Sequence, residues 1–459
     1  MNYAVILAAG KGSRMKSHTI KVLHPILGKP MVQWSIDVAK QAQLQPILVV
    51  GHQQDKVRDA LKNEHVEYAV QEVPRGTGHA VMCALPYLPK QGHVVVFFGD
   101  TPLFRSETLQ SVLQWHIAHD RYATFVSAVL ADAGSYGRIV RAPNNDAIKI
   151  VEAANASPEE LQIQEINTGA AVFNLEWLHT VLPNFVEHPP KAEIYLTDAL
   201  EKAAEISKAG AFVLKDSTEA NGVNDRLDLH TATKILQQRI IAKHLENGVG
   251  FADIDSVTIE DSVRIGQDCW VDRGVVLRGN TKIGNDVHID AYSILDNTQV
   301  DDCATIEAYT HCANTIIHSH ASVGPFARLR ENTTIGISAK VGNFVEMKKT
   351  TLATGAKASH LTYLGDSVVG EKANIGAGTI TCNYDGFRKH QTHIAAGAFI
   401  GSNSALVAPV QIGEGAIVGA GSVITKNVEA NSIAVTRSEQ VSIADGAVRF
   451  RNKQTVIKK

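Results

Sequence analysis

The chain has 459 residues, 44% of them hydrophobic and 20% charged, and its 44 Lys+Arg against 47 Asp+Glu leave a net charge of −3. At the usual ~150 residues per domain this length suits about three domains, or two if one is a solenoid that grows along one axis. A near-neutral balance argues against a nucleic-acid binder or a membrane-surface protein, since both rely on basic excess.

No apolar run reaches the ~18 residues of a membrane span. The N-terminal run from Tyr3 to Ala9 is too short for a secretory signal and has no basic segment before it. The five cysteines (Cys83, Cys269, Cys303, Cys312, Cys382) are odd in number and never form CxxC. That is the pattern of small buried hydrophobes in a reducing cytoplasm, not of disulfides or zinc ligands.

Residues 1 to about 225 alternate short apolar runs with amphipathic stretches. The runs Ala4–Leu7, Pro46–Val50, Val94–Phe98, Ala123–Ser127 and Ala170–Phe173 have the length of buried strands. Between them lie helical patterns, such as Val32, Ile36 and Ala39 on one face. This grammar predicts an α/β domain with a mostly parallel, Rossmann-like sheet covered on both sides, whose ligands bind beyond the carboxyl ends of the strands.

The chemistry is therefore sought just after the runs. The first strand enters Leu7-Ala8-Ala9-Gly10-Lys11-Gly12-Ser13-Arg14. Small residues there let backbone N–H groups approach a phosphate, or simply make a βα turn. Arg14 and Lys21 add fixed positive charge. The segment is neither a P-loop nor GxGxxG. Gln71 followed by Gly76-Thr77-Gly78-His79 suits contact with a base or ribose, or a plain turn. Phe98-Gly99-Asp100 puts a carboxylate directly after a buried strand, placed to hold Mg²⁺ at a polyphosphate or to cap a helix. Weaker signals are Gly137, Glu152, Asn167 and Asn224.

Residues 226–248 read as a linker helix, with Leu229, Ala232, Ile235, Leu236, Ile240 and Leu245 near a 3.6-residue period and Gly248 as its stop. From residue 249 the period becomes six. Ile259, Ile265, Val271, Leu277, Ile283, Ile289 and Leu295 form one register, Ile317 to Met347 another, and Ile394 to Ile424 a third. Glycine often follows the aliphatic residue. Six is neither a helical nor a hairpin period. It fits a triangular parallel β-helix of about eighteen residues per turn. The register breaks near 296–300, 312–317, 348–369 and 380–393 predict protruding loops, and the basic stretch from Arg437 onward predicts a tail or strap.

The N-terminal set resembles the nucleotide-sugar pyrophosphorylases. The resemblance rests on Leu7–Met15, the Lys21-Val-Leu that follows, Gly76–Ala80, Gly99-Asp100, Ser135–Ile139 and Ile166–Gly169. It implies that Leu7, Ala8, Ala9, Gly10, Gln71, Gly76, Thr77, Phe98, Gly99 and Asp100 contact the nucleotide or its metal. Gly137, Glu152, Asn167 and Asn224 would hold the sugar, Asp100 and Asn224 would ligate Mg²⁺, and Arg14 and Lys21 would be catalytic.

In the six-residue region, Lys340–Lys349, Ser359–Asp366 and Asn374–Gly386 resemble the hexapeptide-repeat acyltransferases, whose coil is left-handed. Together the two halves are similar to the family of bifunctional N-acetylglucosamine-1-phosphate uridyltransferase/glucosamine-1-phosphate acetyltransferases. That likeness implies His360 as general base, oriented by Glu346, since a neutral imidazole accepts a proton near neutral pH. It implies that Arg330, Lys348, Tyr363 and Asn374 bind glucosamine 1-phosphate. Ala377, Asn383, Tyr384, Ser402, Ala420 and Arg437 would line the acetyl-CoA site. It further implies UTP and acetyl-CoA as co-substrates, and a cytoplasmic homotrimer. Two rivals remain at this level: a uridyltransferase whose β-helix serves only assembly, and a non-enzymatic scaffold.

Overall fold

The protein, described here from a computed structural model, is seen over residues 2–10, 12–189 and 192–457. The chain forms two compact units, residues 1–239 and 240–459, which divide within the helix Arg226–Glu246.

In the first unit the strands are β1 (Asn2–Leu7), β2 (Pro25–Ile26), β3 (Lys29–Pro30), β4 (Leu44–Val50), β5 (Glu67–Val70), β6 (His93–Phe98), β7 (Ala123–Val129), β8 (Arg138–Arg141), β9 (Ala147–Val151), β10 (Glu165–Asn174) and β11 (Ala209–Val213). β2 and β3 form a separate small hairpin. The main sheet runs β11-β7-β10-β6-β1-β4-β5. β1 pairs in parallel with β4 and β6, and β4 with β5. Alternate residues of β1 serve two cores, as both faces of such a sheet must be covered. Ala4 and Ile6 pack with Val32, Ile36 and Ala39 on one side, and Val5 and Leu7 with Ala80, Val81 and Ala84 on the other.

The sheet is not wholly parallel. β10 is antiparallel to β6 and β7. The hairpin β8–β9 follows β7 at its carboxyl end, so β10 starts there and runs back. This reversal puts Asn167 and Gly169, at the beginning of β10, on the same edge as the loops after β1 and β6.

The second unit is a parallel β-helix with two strand ladders of 11 and 17 strands. Trp270 pairs with His288 and His288 with Thr305, steps of 18 and 17 residues. The six-residue aliphatic positions point inward: Ile259, Leu277, Leu295, Cys312, Leu329 and Met347 stack coil on coil, each at most 1% exposed.

Three of the four expected loops do not protrude. At Leu295–Val300, Cys312–Ile317 and Met347–Leu352 one side is five residues long, and the ladder continues without interruption. A shorter side moves the corner by one residue and leaves the hydrogen bonding intact. A true excursion lies only in the fourth: Asn374 pairs with Phe399, 25 residues on, against 18 from Phe399 to Ile417.

The helix Arg226–Glu246 ends where Gly248 takes φ +90° and the Val249 N–H reaches the His244 carbonyl at 3.0 Å, a left-handed C-cap. Beyond Arg437 the chain forms a further helix, Gly446–Ile457. Among the described residues no helix is long and apolar enough to cross a membrane.

Candidate active sites

In the first unit a cleft of about 820 Å³ opens at the carboxyl edge of the sheet. Of the residues singled out from the sequence, Leu7, Ala8, Ala9, Gly10, Arg14, Lys21, Gln71, Gly76, Thr77, Phe98, Asp100, Glu152, Asn167 and Asn224 line it. Gly99 and Gly137 lie behind the wall. The Gly99 N–H donates to the Leu7 carbonyl at 2.9 Å, and the Gly137 carbonyl accepts from Asn167 at 2.8 Å. Both tie neighbouring loops together.

The two glycines of the first loop do different work. A Cβ on Gly12, at φ +60°, would sit 2.4 Å from Lys21 Cβ, so this glycine lets the loop pass over the lysine. A Cβ on Gly10 would meet nothing within 4 Å. Protein packing does not require that glycine, and its backbone lines the cleft with open space before it.

Four side chains from distant parts of the chain converge at the cleft. Lys21 is ion-paired with Asp100. Its ammonium also donates to Asn224 Oδ1 at 3.1 Å, and Arg14 donates to the same oxygen at 3.0 Å. The Asn224 N–H is held at 2.8 Å by Asp228, in the first turn of the helix Arg226–Glu246.

Asp100 and Asn224 thus share one cationic partner, so a single cation reaches both oxygens. Hard oxygen donors of this kind fit Mg²⁺, which normally completes its shell with phosphate oxygens and water. Among the described residues no group of three His, Cys, Asp or Glu forms a complete metal cage. The residues therefore fit a metal brought with a polyphosphate. Glu152 also faces the cleft, and burial pushes its carboxyl above the usual range.

Sequence reasoning missed Glu193, Tyr195, Leu196 and Thr197, which complete the wall. The Ile194 N–H donates to the Arg75 carbonyl at 2.7 Å, and the Leu196 N–H to Thr77 Oγ1 at 3.1 Å. A Cβ on Gly76 would lie 2.5 Å from the Ile194 carbonyl oxygen, and one on Gly78 2.7 Å from Ile194 Cγ2. The Gly-Thr-Gly run is therefore also the seat of this segment. Its partner carries neither a strand period nor a small-residue signature that would have marked it.

In the second unit the chosen residues fall on two edges of the coil. One edge carries His360, Ala377, Ser402, Ala420 and Arg437 in successive turns, with Asn343, which was not singled out from the sequence, one turn before His360. Backbone bonds link it from Leu361 N–H to Asn343, Gly378 to Leu361, Asn403 to Ala377 and Gly421 to Ser402, at 2.7–3.1 Å. Arg437 closes the row by donating to the Ala420 carbonyl at 2.9 Å. With coils ~4.8 Å apart, His360 to Arg437 spans roughly 19 Å.

The other edge gathers Arg330, Lys348, Tyr363 and Asn383. Arg330 pairs with Glu346 at 3.0 Å, and Lys348 with Glu331 at 3.0 Å. Tyr363 Oη and Asn383 Nδ2 both crowd over Gly365, 2.5 and 2.6 Å from where its Cβ would be. Asn374 is not brought to this group. It lies in the other ladder, paired with Lys357 and Phe399.

The orienting partner of His360 differs from expectation. Its Nδ1 lies 2.8 Å from Asn343 Oδ1, while Glu346 is engaged by Arg330. Ladder register is the reason: His360 stacks directly on Asn343, and Glu346 stacks on Tyr363, past the corner. The Asn343 amide oxygen is an acceptor, so His360 Nδ1 is the donor at this contact and Nε2 is left facing away from it.

Residues 4–214 match the model of the MobA-like NTP transferase domain. Residues 262–297 and 391–426 match that of the bacterial transferase hexapeptide (six repeats). The fold and its two polar constellations thus define a transferase of two parts, an NTP-transferase domain followed by a hexapeptide coil.

The chain is 44% identical to the bifunctional protein GlmU of Pseudoalteromonas atlantica over 96% of its length and 97% of the relative's. It is 42% identical to that of Caldanaerobacter subterraneus, with 98% of each chain covered, and 40% identical to that of Geotalea uraniireducens, with 96% and 97% covered. It belongs to the GlmU family of bifunctional proteins.

Proposed function

We propose that the protein makes UDP-N-acetylglucosamine in two steps. Acetyl-CoA and glucosamine 1-phosphate give N-acetylglucosamine 1-phosphate and CoA in the coil, and UTP then gives UDP-N-acetylglucosamine and pyrophosphate in the first domain. The domains are taken as 1–225 for uridyl transfer, 226–248 as the connecting helix and 249–459 for acetyl transfer. One observation carries the reading: full-length likeness to bifunctional relatives coincides with a separate polar constellation in each unit.

Uridyl transfer joins two anions, so charge repulsion is the obstacle. The N–H groups around Gly10 and the cations Arg14 and Lys21 would bind the triphosphate, with Gln71, Gly76 and Thr77 at the base and ribose. Asn167 and Glu152 would hold the sugar. Asp100 and Asn224 would hold Mg²⁺, which supplies charge neutralisation at the phosphates when bound. The sugar-phosphate oxygen is already ionised and attacks the α-phosphorus in line as pyrophosphate leaves. No protein base is required.

For acetyl transfer, Nε2 of His360 would take the ammonium proton of glucosamine 1-phosphate. The amine then attacks the thioester carbon, and the thiolate leaves and is protonated. Arg330 and Lys348 would hold the phosphate, with Tyr363 beside it. The small side chains Ala377, Ser402 and Ala420 leave room for a pantetheine arm along the edge, and Asn383 and Tyr384 would lie at the thioester.

Lys348 and Tyr363 lie in one ladder, and His360 and Asn374 in the other. That favours a homotrimer in which neighbouring chains complete each acetyl site. A cytoplasmic location agrees with these substrates.

A paired assay tests the reading. Asp100→Ala should abolish pyrophosphate release and spare CoA release, and His360→Ala the reverse. Loss of both activities in either well-folded variant would refute two separate sites.

A further inference from the structure

The excursion after Cys382 is held mainly by itself. The His390 N–H donates to the Asn383 carbonyl at 2.8 Å, and Tyr384 and Lys389 form an antiparallel bridge. The Lys389 ammonium stands 4.6 Å from the Tyr384 ring centroid, and the Tyr384 hydroxyl donates to the Gly386 carbonyl at 2.5 Å. Apolar packing does not hold the tip, where Phe387 is 93% exposed.

At the centre is Asp385. Its Oδ1 accepts the N–H groups of Phe387 at 2.7 Å and Arg388 at 2.6 Å, and its Oδ2 lies 2.6 Å from His390 Nε2. One carboxylate therefore joins the start, the tip and the end of the loop. These bonds hold it far below the usual carboxylate range.

We propose that Asp385 is a positioning residue for acetyl transfer: its carboxylate keeps the loop in the one conformation that presents Asn383 and Tyr384 to acetyl-CoA. This rests on the acetyltransferase reading above. Asn383 is only 5% exposed and tied to Asp366 at 2.5 Å, so the loop is anchored at its root. Freeing the rest would leave the competent conformation as one of several. Apparent affinity then falls by the competent fraction, while turnover at saturation is restored because bound cofactor reselects that conformation.

The experiment uses the full chain, with acetyl-CoA as the varied substrate and CoA thiol release as the readout. Asp385→Ala is expected to raise KM for acetyl-CoA about 10-fold and to change kcat less than about 3-fold. Uridyl transfer and thermal unfolding stay as in the unmodified protein. Asp385→Asn should recover most of the loss, because its amide oxygen still accepts both N–H groups. A folded Asp385→Ala variant whose KM is unchanged, or an Asp385→Asn variant as impaired as Asp385→Ala, would overturn the proposal. No glucosamine 1-phosphate-dependent CoA release by the unmodified full chain would overturn the acetyltransferase reading, and this proposal with it.

Discussion

At the scale of single residues, hydrogen-bond direction and burial set the chemistry. His360 is aligned by Asn343, a coil below it. Asn343→Ala should lower kcat for acetyl transfer by up to the order of 10²-fold, as loss of alignment does, while leaving uridyl transfer unchanged. Steady-state assays of both reactions check this.

His116 offers a different test. It is fully buried against Thr124, 2.8 Å from Nδ1, and edge-on to His93. Burial first, and then repulsion from His93, lowers its pKa from 6.5 to about 3. The unfolded chain takes up this proton below about 6.5 and the folded chain only near 3, so between those values the unfolded state binds more protons. Stability is unaffected above about 6.5 and declines as pH falls towards 3, by up to about 4 kcal/mol. Denaturant unfolding of the first unit across that window should show the slope, and His116→Leu should flatten it.

At the scale of elements, the coil is a stack of nearest-neighbour interfaces. Leu406 is fully buried between Thr381 below and Ile424 above. Leu406→Ala should cost about 2–5 kcal/mol, the usual range for emptying a core leucine site. Chemical unfolding followed by hydrogen exchange should place the loss in the adjoining coils.

Much of this element scale was legible. The six-residue aliphatic period is a direct record of which side chain each short strand turns inward, and every residue of its main registers is buried. The breaks in that period were misread because sequence spacing counts residues, whereas the ladder counts sides. A five-residue side and a loop look alike until pairing is known. The reversed β10 was hidden for a similar reason, since an apolar run buried on both faces reads the same in either direction.

At the scale of the whole molecule, the two constellations occupy different units of one chain. The linking intermediate, N-acetylglucosamine 1-phosphate, would then pass through solution. Asp100→Ala and His360→Ala proteins, each unable to convert glucosamine 1-phosphate to UDP-N-acetylglucosamine alone, should do so when mixed. Product analysis of the mixture reads this out, and no product from two folded, singly active proteins would contradict a diffusing intermediate.

Local spacing was enough to give the strand-length apolar runs followed by small or acidic residues, the change of period after residue 249, and the motifs carrying Asp100 and His360. Tertiary structure alone decided which remote segments meet. Lys21 and Asn224 are 203 residues apart yet share a hydrogen bond, Ile194 sits over Gly76, and His360 bonds Asn343 in place of Glu346. The physical reason is that hydrophobic periodicity reports how each residue meets its nearest layer, while the convergence of polar groups depends on strand order, strand direction and coil register.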